Sequence, residues 1–104
     1  MYYELVYSPA ALEDLDQVWN EVYTSSTDLS TTDNYISALR NELKEICKNP
    51  KLGKRLCYED VFTGIYYISC KKYNAFYRIR ANKVEVGRIL YNRSNYMKLV
   101  LGSM

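Results

Sequence analysis

Residues 64–96 read GIYYISCKKYNAFYRIRANKVEVGRILYNRSNY, and this stretch decides the fold. Two alternating runs, 73–80 and 84–91, flank Asn82 and Lys83, which predicts an antiparallel hairpin closed by a two-residue turn. With Ala81 opposite Val84, Arg80 falls opposite Glu85, a favourable cross-strand charge pair. Tyr73, Ala75, Tyr77 and Ile79 then share one face with Val84, Val86 and Leu90. Asn74, Phe76, Arg78 and Arg80 share the other with Glu85, Gly87 and Tyr91. The first set is apolar and belongs to a core; the second is basic and aromatic.

Upstream of this stretch the chain is punctuated for two helices. Residues 2–7 are rich in strand formers, as in a strand that is buried on both faces or lies at a sheet edge. Ser8 caps and Pro9 starts a helix whose stripe is Ala11, Leu12, Leu15, Val18, Trp19, Val22 and Tyr23, with Glu13, Asp14, Asp16, Gln17 and Asn20 turned outward. The polar break 24–32 joins it to a second helix, for which Ser30 and Asp33 resemble a capping box. Ile36, Leu39, Leu43 and Ile46 line that helix, and Pro50 ends it. A helical hairpin cannot bury its stripes alone. Both helices are therefore expected on one face of a sheet built from strands near 2–7, 56–61, 65–70, 73–80 and 84–91, leaving the other face open. The tail from Asn95 on reads as a short helix or a packed terminal segment.

At 104 residues the chain forms one domain, 1–104, large enough for a two-layer core. Its net charge of +2 is modest, but the charge is unevenly distributed. Residues 1–45 hold nine of the twelve acids and only two basic residues, Arg40 and Lys44, so the second half is the anion-seeking half. Twelve tyrosines offer flat rings with polar tips, suited to a sheet core and equally to stacking or partner contact. Cys47, Cys57 and Cys70 are widely spaced and the chain has no histidine, which argues against a zinc site and for free thiols in a reducing cytoplasm. No run approaches the roughly 20 apolar residues of a membrane span. A soluble cytoplasmic protein is the expectation, with no cofactor and no membrane partner.

Phe76-Tyr77-Arg78-Ile79, the strand holding Val84, Val86 and Arg88-Ile89-Leu90, and the exit Tyr91-Asn92-Arg93-Ser94-Asn95-Tyr96 resemble the C-terminal signature of the RelE/ParE superfamily. Its members are toxins of bacterial type II toxin–antitoxin modules. Ser8-Pro9-Ala10-Ala11 and Asn49-Pro50-Lys51-Leu52-Gly53 fit the same template, so the resemblance covers nearly the whole length. It implies an α+β fold in two layers, with an N-terminal strand and an antiparallel helical hairpin on one face of a mainly antiparallel sheet.

Two activities follow from the resemblance. RelE-like members cleave ribosome-bound mRNA, which needs a base, cations for the phosphorane charge and an acid for the leaving oxygen. Position by position, Lys54 and Arg55, Arg93, and Tyr91 or Tyr96 would fill these roles, with Glu59 a candidate carboxylate base. The strand-three arginine of that set is missing, since Ile68-Ser69-Cys70 stands in its place with Lys71 and Lys72 just beyond. ParE-like members lack the catalytic set and poison DNA gyrase; the absence of histidine and of that arginine leans this way. Either activity implies a cognate antitoxin whose C-terminal segment wraps the toxin as a helix or an added strand, with Lys71, Lys72, Phe76, Arg78 and Arg80 as partner- and anion-binding residues. A non-toxic binding domain on the same fold is a further alternative. Lys54, Arg55, Lys71 and Lys72 are equally well read as solvated charge. Arg88, on the core-facing parity, is expected in a buried ion pair with a helix carboxylate.

Overall fold

The computed structural model describes residues 2–103. In chain order it runs β1 (Glu4–Tyr7), α1 (Pro9–Ser26), α2 (Leu29–Ile46), a 3-10 turn (Pro50–Leu52), β2 (Lys54–Tyr58), β3 (Val61–Cys70), β4 (Tyr73–Arg80), β5 (Lys83–Tyr91) and α3 (Tyr96–Ser103). The strands form one sheet in the order β1-β5-β4-β3-β2, antiparallel throughout except that β1 lies parallel to β5. This is the α+β arrangement expected from the sequence, with β1 as an edge strand.

Local chemistry explains the helix boundaries. Ser8 Oγ accepts the Ala11 N–H at 3.0 Å and donates to the Gly87 carbonyl at 2.8 Å, so one hydroxyl starts α1 and fastens it to β5. Thr27 adopts the left-handed conformation (φ 53°) and returns its N–H to Tyr23 O, closing the helix. Asp28 caps α2, accepting from Ser30 N at 3.2 Å and from Thr31 Oγ1 at 2.6 Å. The break between the helices is thus two residues long, and the capping box expected at Ser30 and Asp33 is replaced by the Asp28 cap two residues earlier. Asp33 instead accepts the Trp19 indole N–H at 3.3 Å and ties the two helices together.

Ala11, Leu15 and Val18 of α1 and Leu39 and Leu43 of α2 are buried against Tyr73, Ala75, Tyr77, Val84, Val86 and Ile89 of the sheet. Each fully buried leucine contributes about 1.5–3 kcal/mol relative to exposure. Leu12 and Tyr23, expected in the stripe, are 48% and 38% exposed at its margins. Asp14, expected to face outward, turns to the sheet and meets Arg88.

The β4–β5 hairpin differs from expectation in two ways. Its turn is Ala81-Asn82, with Ala81 at φ 54°, so Arg80 pairs with Lys83 and Arg78 with Glu85. A shift of two residues keeps every side chain on its expected face. Farther along, the register changes between Phe76 and Tyr77, where Tyr77 faces Val86 but Phe76 faces Arg88, so Gly87 is an extra residue. One inserted residue reverses the parity of all that follows. Leu90, expected with Val84, packs on the opposite face beside Phe76, and Tyr91 moves to the hairpin face against Tyr73.

The second sheet face is not left open. α3 covers part of it, placing Tyr96, Met97 and Val100 over Leu56, Ile65, Phe76 and Leu90. The β2–β3 strands also meet earlier than expected, around a two-residue turn at Glu59 (φ 50°) and Asp60 (φ 66°), the positive-φ pair that matches the twist of a hairpin.

Candidate functional site

The candidate basic residues of the second half are carried by β2, β4 and the turns at the ends of β3 and β5, and the strand geometry divides them into three groups. The first lies on β2, the outer edge strand opposite β1. Lys54 and Arg55 occupy strand positions rather than a loop, and alternation sends them to opposite faces. Lys54 Nζ stands 5.9 Å from the Tyr67 ring centre on the α3 face, while the Arg55 guanidinium stacks 4.1 Å over Phe62 on the hairpin face. From Tyr67 a ladder of rings continues through Phe76 to Tyr96, at 5.4 and 5.3 Å between centres. Lys54 and Tyr96 therefore share a face that Arg55 does not. Glu59 is exposed at the tip of the β2–β3 hairpin.

The second group gathers at the β3–β4 turn and the exit of β5. Lys71 (φ 57°) holds its ammonium 4.3 Å over the Tyr35 ring, and the Lys72 N–H donates to the Tyr35 hydroxyl at 3.2 Å. The Asn92 N–H donates to the Lys72 carbonyl at 2.8 Å, which brings the exposed Arg93 beside this turn. Tyr91 packs edge-on against Tyr73. The Tyr73 hydroxyl donates to Glu21 Oε2 at 2.5 Å, and burial, reinforced by that carboxylate, pushes the phenol well above its usual range. A raised phenol holds its proton, so Tyr73 is a structural donor and no general base.

The third group is on β4 and β5 at the other end of the sheet. Arg78 and Arg80 both reach Glu85 Oε1, at 3.6 and 3.5 Å, beside an open cleft. The expected pairing of Arg80 with Glu85 is present, joined by Arg78 directly across the ladder. Phe76, expected on the same surface as a partner contact, is fully buried beneath α3 and is a core residue. The reason is the helix itself, which follows β5 and closes over the aromatic half of the face.

Arg88 belongs to none of these groups. Its Nε and Nη2 donate to Asp14 Oδ2 and Oδ1 at 2.8 and 3.1 Å, and the Ile89 N–H adds a 2.9 Å bond to Oδ2. The hydrogen bonds to Asp14 raise the guanidinium pKa further. The expected ion pair with a helix carboxylate is present, but not on the core parity that suggested it: the bulge sets Arg88 opposite Phe76, and the odd residue there leaves a backbone N–H for a side chain to satisfy.

The residues proposed for RNA cleavage thus do not form one constellation. Lys54 and Tyr96 lie on the α3 face, Arg55 and Tyr91 on the hairpin face, and Arg93 in the turn beyond β5. At the position of the missing strand-three arginine, Ser69 Oγ donates to Asn74 Oδ1 at 2.7 Å. Glu21, Tyr35 and Tyr73, which surround Lys72 and Tyr91, carried no sequence signal that would have joined them, since two come from the distant helices. The Glu85 clamp was half visible, in the charge alternation of the hairpin.

Comparison with known proteins agrees with the architecture. The chain is similar in fold to a toxin–antitoxin structure described as the chromosomal ParDE system from P. aeruginosa, with a TM-score of 0.71 and 15% identity over 86% of this chain and 96% of that one. It is also similar to the toxin–antitoxin complex RelBE2 from Mycobacterium tuberculosis, with a TM-score of 0.63 and 17% identity over 90% and 95% of the two chains. No curated protein matches it in sequence. The family model of the ParE toxin of the type II toxin–antitoxin system parDE matches residues 5–96, from the first strand to the start of α3, and the chain therefore belongs to the ParE toxin family.

Proposed function

We propose that this toxin acts by disabling a protein target of the DNA gyrase kind, not by cleaving ribosome-bound mRNA, and that a cognate antitoxin holds it inactive. The observation that carries this reading is the dispersal of Lys54, Arg55, Tyr91 and Tyr96 over the two faces of the sheet. In-line attack by a 2′-hydroxyl needs base, acid and cations within hydrogen-bond reach of one phosphate. Groups separated by a β-sheet cannot meet there. The antitoxin supplies the acidic counterpart to a surface whose charge is concentrated in the second half of the chain.

The ribonuclease reading retains one supporting observation, the meeting of Lys72, Tyr91 and the turn that carries Arg93 at the β5 exit. Induction of the chain in a bacterial host separates the two. Gyrase-type inhibition gives growth arrest with filamentation and a DNA-damage response while ribosome-bound transcripts stay whole. Codon-phased cleavage of those transcripts would reverse the assignment and move Arg93 and Tyr91 into a catalytic role.

A further inference from the structure

The last turns of α1 and the first turns of α2 enclose a cleft of about 450 Å³ with the β3–β4 turn and the end of β5. Its walls carry one carboxylate, Glu21, one ammonium, Lys72, and the rings of Tyr35, Tyr73 and Tyr91. Among the described residues neither charge is matched: the salt bridges lie elsewhere, so Glu21 meets no lysine or arginine and Lys72 meets no carboxylate. The Tyr73 side chain sets the two apart, since it leaves the backbone next to Lys72 and ends with its hydroxyl 2.5 Å from Glu21 Oε2. Glu21 Oε1 accepts from the Gln17 amide at 3.1 Å. A carboxylate has about four lone-pair sites, two on each oxygen, so each Glu21 oxygen keeps one to spare. One spare acceptor per oxygen matches a pair of parallel N–H donors. The Tyr35 hydroxyl accepts from the Lys72 N–H and retains its own proton to donate. Tyr91 is 38% exposed, and its edge-to-face contact with Tyr73 leaves a ring face for stacking.

We propose that this cleft binds a guanine nucleotide: the base stacks on Tyr91 and donates its N1–H and 2-amino protons to Glu21, and the phosphate lies at Lys72. The donor pair selects the base. Guanine alone among the common bases presents two adjacent N–H donors on one edge. Adenine and cytosine set a donor beside an acceptor, and uracil sets one donor between two acceptors, so each of them turns a lone pair towards the carboxylate. An arginine side chain carries a similar donor pair, but its charge would enter beside Lys72 and the neighbouring Lys71, whose ammonium lies 4.3 Å over the Tyr35 ring. A neutral base that carries a phosphate meets those cations with the opposite sign. Stacking on an exposed tyrosine is a common source of affinity for a base, and the volume is in the range of small-molecule sites. A guanylate unit occurs free and within RNA, and its recognition in the cleft is the same for both.

The test is calorimetric titration of the whole chain, at low salt, with the four nucleoside 5′-monophosphates. The guanosine nucleotide should bind saturably and about tenfold tighter than the other three, the equivalent of one charge-assisted hydrogen bond. Guanosine without its phosphate should bind about two- to fivefold more weakly, as for one exposed ion pair, and Lys72→Gln should abolish that difference while keeping the preference for guanine. Glu21→Gln, at an exposed position where the amide oxygen can still accept from Tyr73, should remove the preference without changing the circular dichroism spectrum. Four nucleotides bound alike, no saturation at millimolar nucleotide, or a guanine preference that survives Glu21→Gln would overturn the proposal. Tighter binding of N-acetylarginine amide than of the guanosine nucleotide would overturn it as well, because the cleft would then be a cation site. The trinucleotide UUG separates the two sources: tighter binding than the mononucleotide places the guanylate in RNA, equal or weaker binding makes it a free nucleotide, and either upholds the site. These measurements do not involve toxicity, so the gyrase reading can fail while the nucleotide site stands, and the reverse.

Discussion

Truncation of Arg88 gives the sharpest test of how the fold is held together. The Arg88–Asp14 pair links β5 to α1 through two guanidinium bonds at 2.8 and 3.1 Å, with the side chains 18% and 14% exposed. Arg88→Ala leaves Asp14 with one N–H, from Ile89, in a site that solvent barely enters. Breaking a buried pair by removing one partner costs about 3–5 kcal/mol, and the residual exposure places this one at the lower end, about 3 kcal/mol. For a domain of this length that corresponds to a fall in Tm of roughly 10–20 °C. Urea and thermal unfolding followed by circular dichroism measure it directly. Asp14→Ala should cost a similar amount, because it takes the carboxylate from the guanidinium and leaves the Ile89 N–H without its acceptor. The double variant should be less destabilised than the sum of the two, by about 2 kcal/mol. A loss below about 1 kcal/mol for Arg88→Ala would mean that the pair behaves like a surface ion pair, and the account of the bulge as a fastened junction would be refuted.

Arg93→Ala lies in an exposed turn and should change unfolding free energy by less than about 0.5 kcal/mol while abolishing growth arrest; full toxicity in a folded variant would remove Arg93 from the functional surface. Gly53→Ala would place a Cβ 1.9 Å from the Tyr77 hydroxyl, which donates to Pro50 O at 2.6 Å, so a loss of about 1–3 kcal/mol by overpacking is expected in denaturant titration. Burial raises the phenol pKa of both Tyr73 and Tyr77. The folded state then keeps protons that the unfolded chain gives up near pH 10, so this contribution is complete below about pH 10 and declines as pH rises beyond it. Tyr73→Phe should flatten that alkaline decline, and an unchanged slope between pH 9 and 11 would count against the effect.

Much of the architecture follows from local chemistry that one sequence displays. Ser8 and Pro9 start α1, the Leu39–Leu43 spacing makes the core stripe of α2, and the alternation of residues 73–86 builds a hairpin whose faces are as expected, whereas Pro50, expected to end α2, instead begins the 3-10 turn four residues after the helix ends at Ile46. Arg88 was legible as a cation in need of a partner, although the core parity that suggested it is the one the bulge reverses. The tertiary structure decided what depends on residues far apart. Gly87 becomes a bulge only because α1 arrives at β5, with Ser8 bonded to its carbonyl and Asp14 waiting for Arg88 and Ile89. That single insertion turned Leu90 and Tyr91 to faces opposite those the alternation assigns, and a glycine inside a strand was the one sequence signal for it. The burial of Phe76 was likewise set by α3, whose apolar residues fit a terminal helix on either face of a sheet until the sheet itself exists. The site divided for the same reason. Lys54 and Arg55 are adjacent in sequence and share a charge, but a strand sends neighbours to opposite sides, whereas Arg78 and Arg80 reach Glu85 together because strand alternation and cross-strand register place all three on one face.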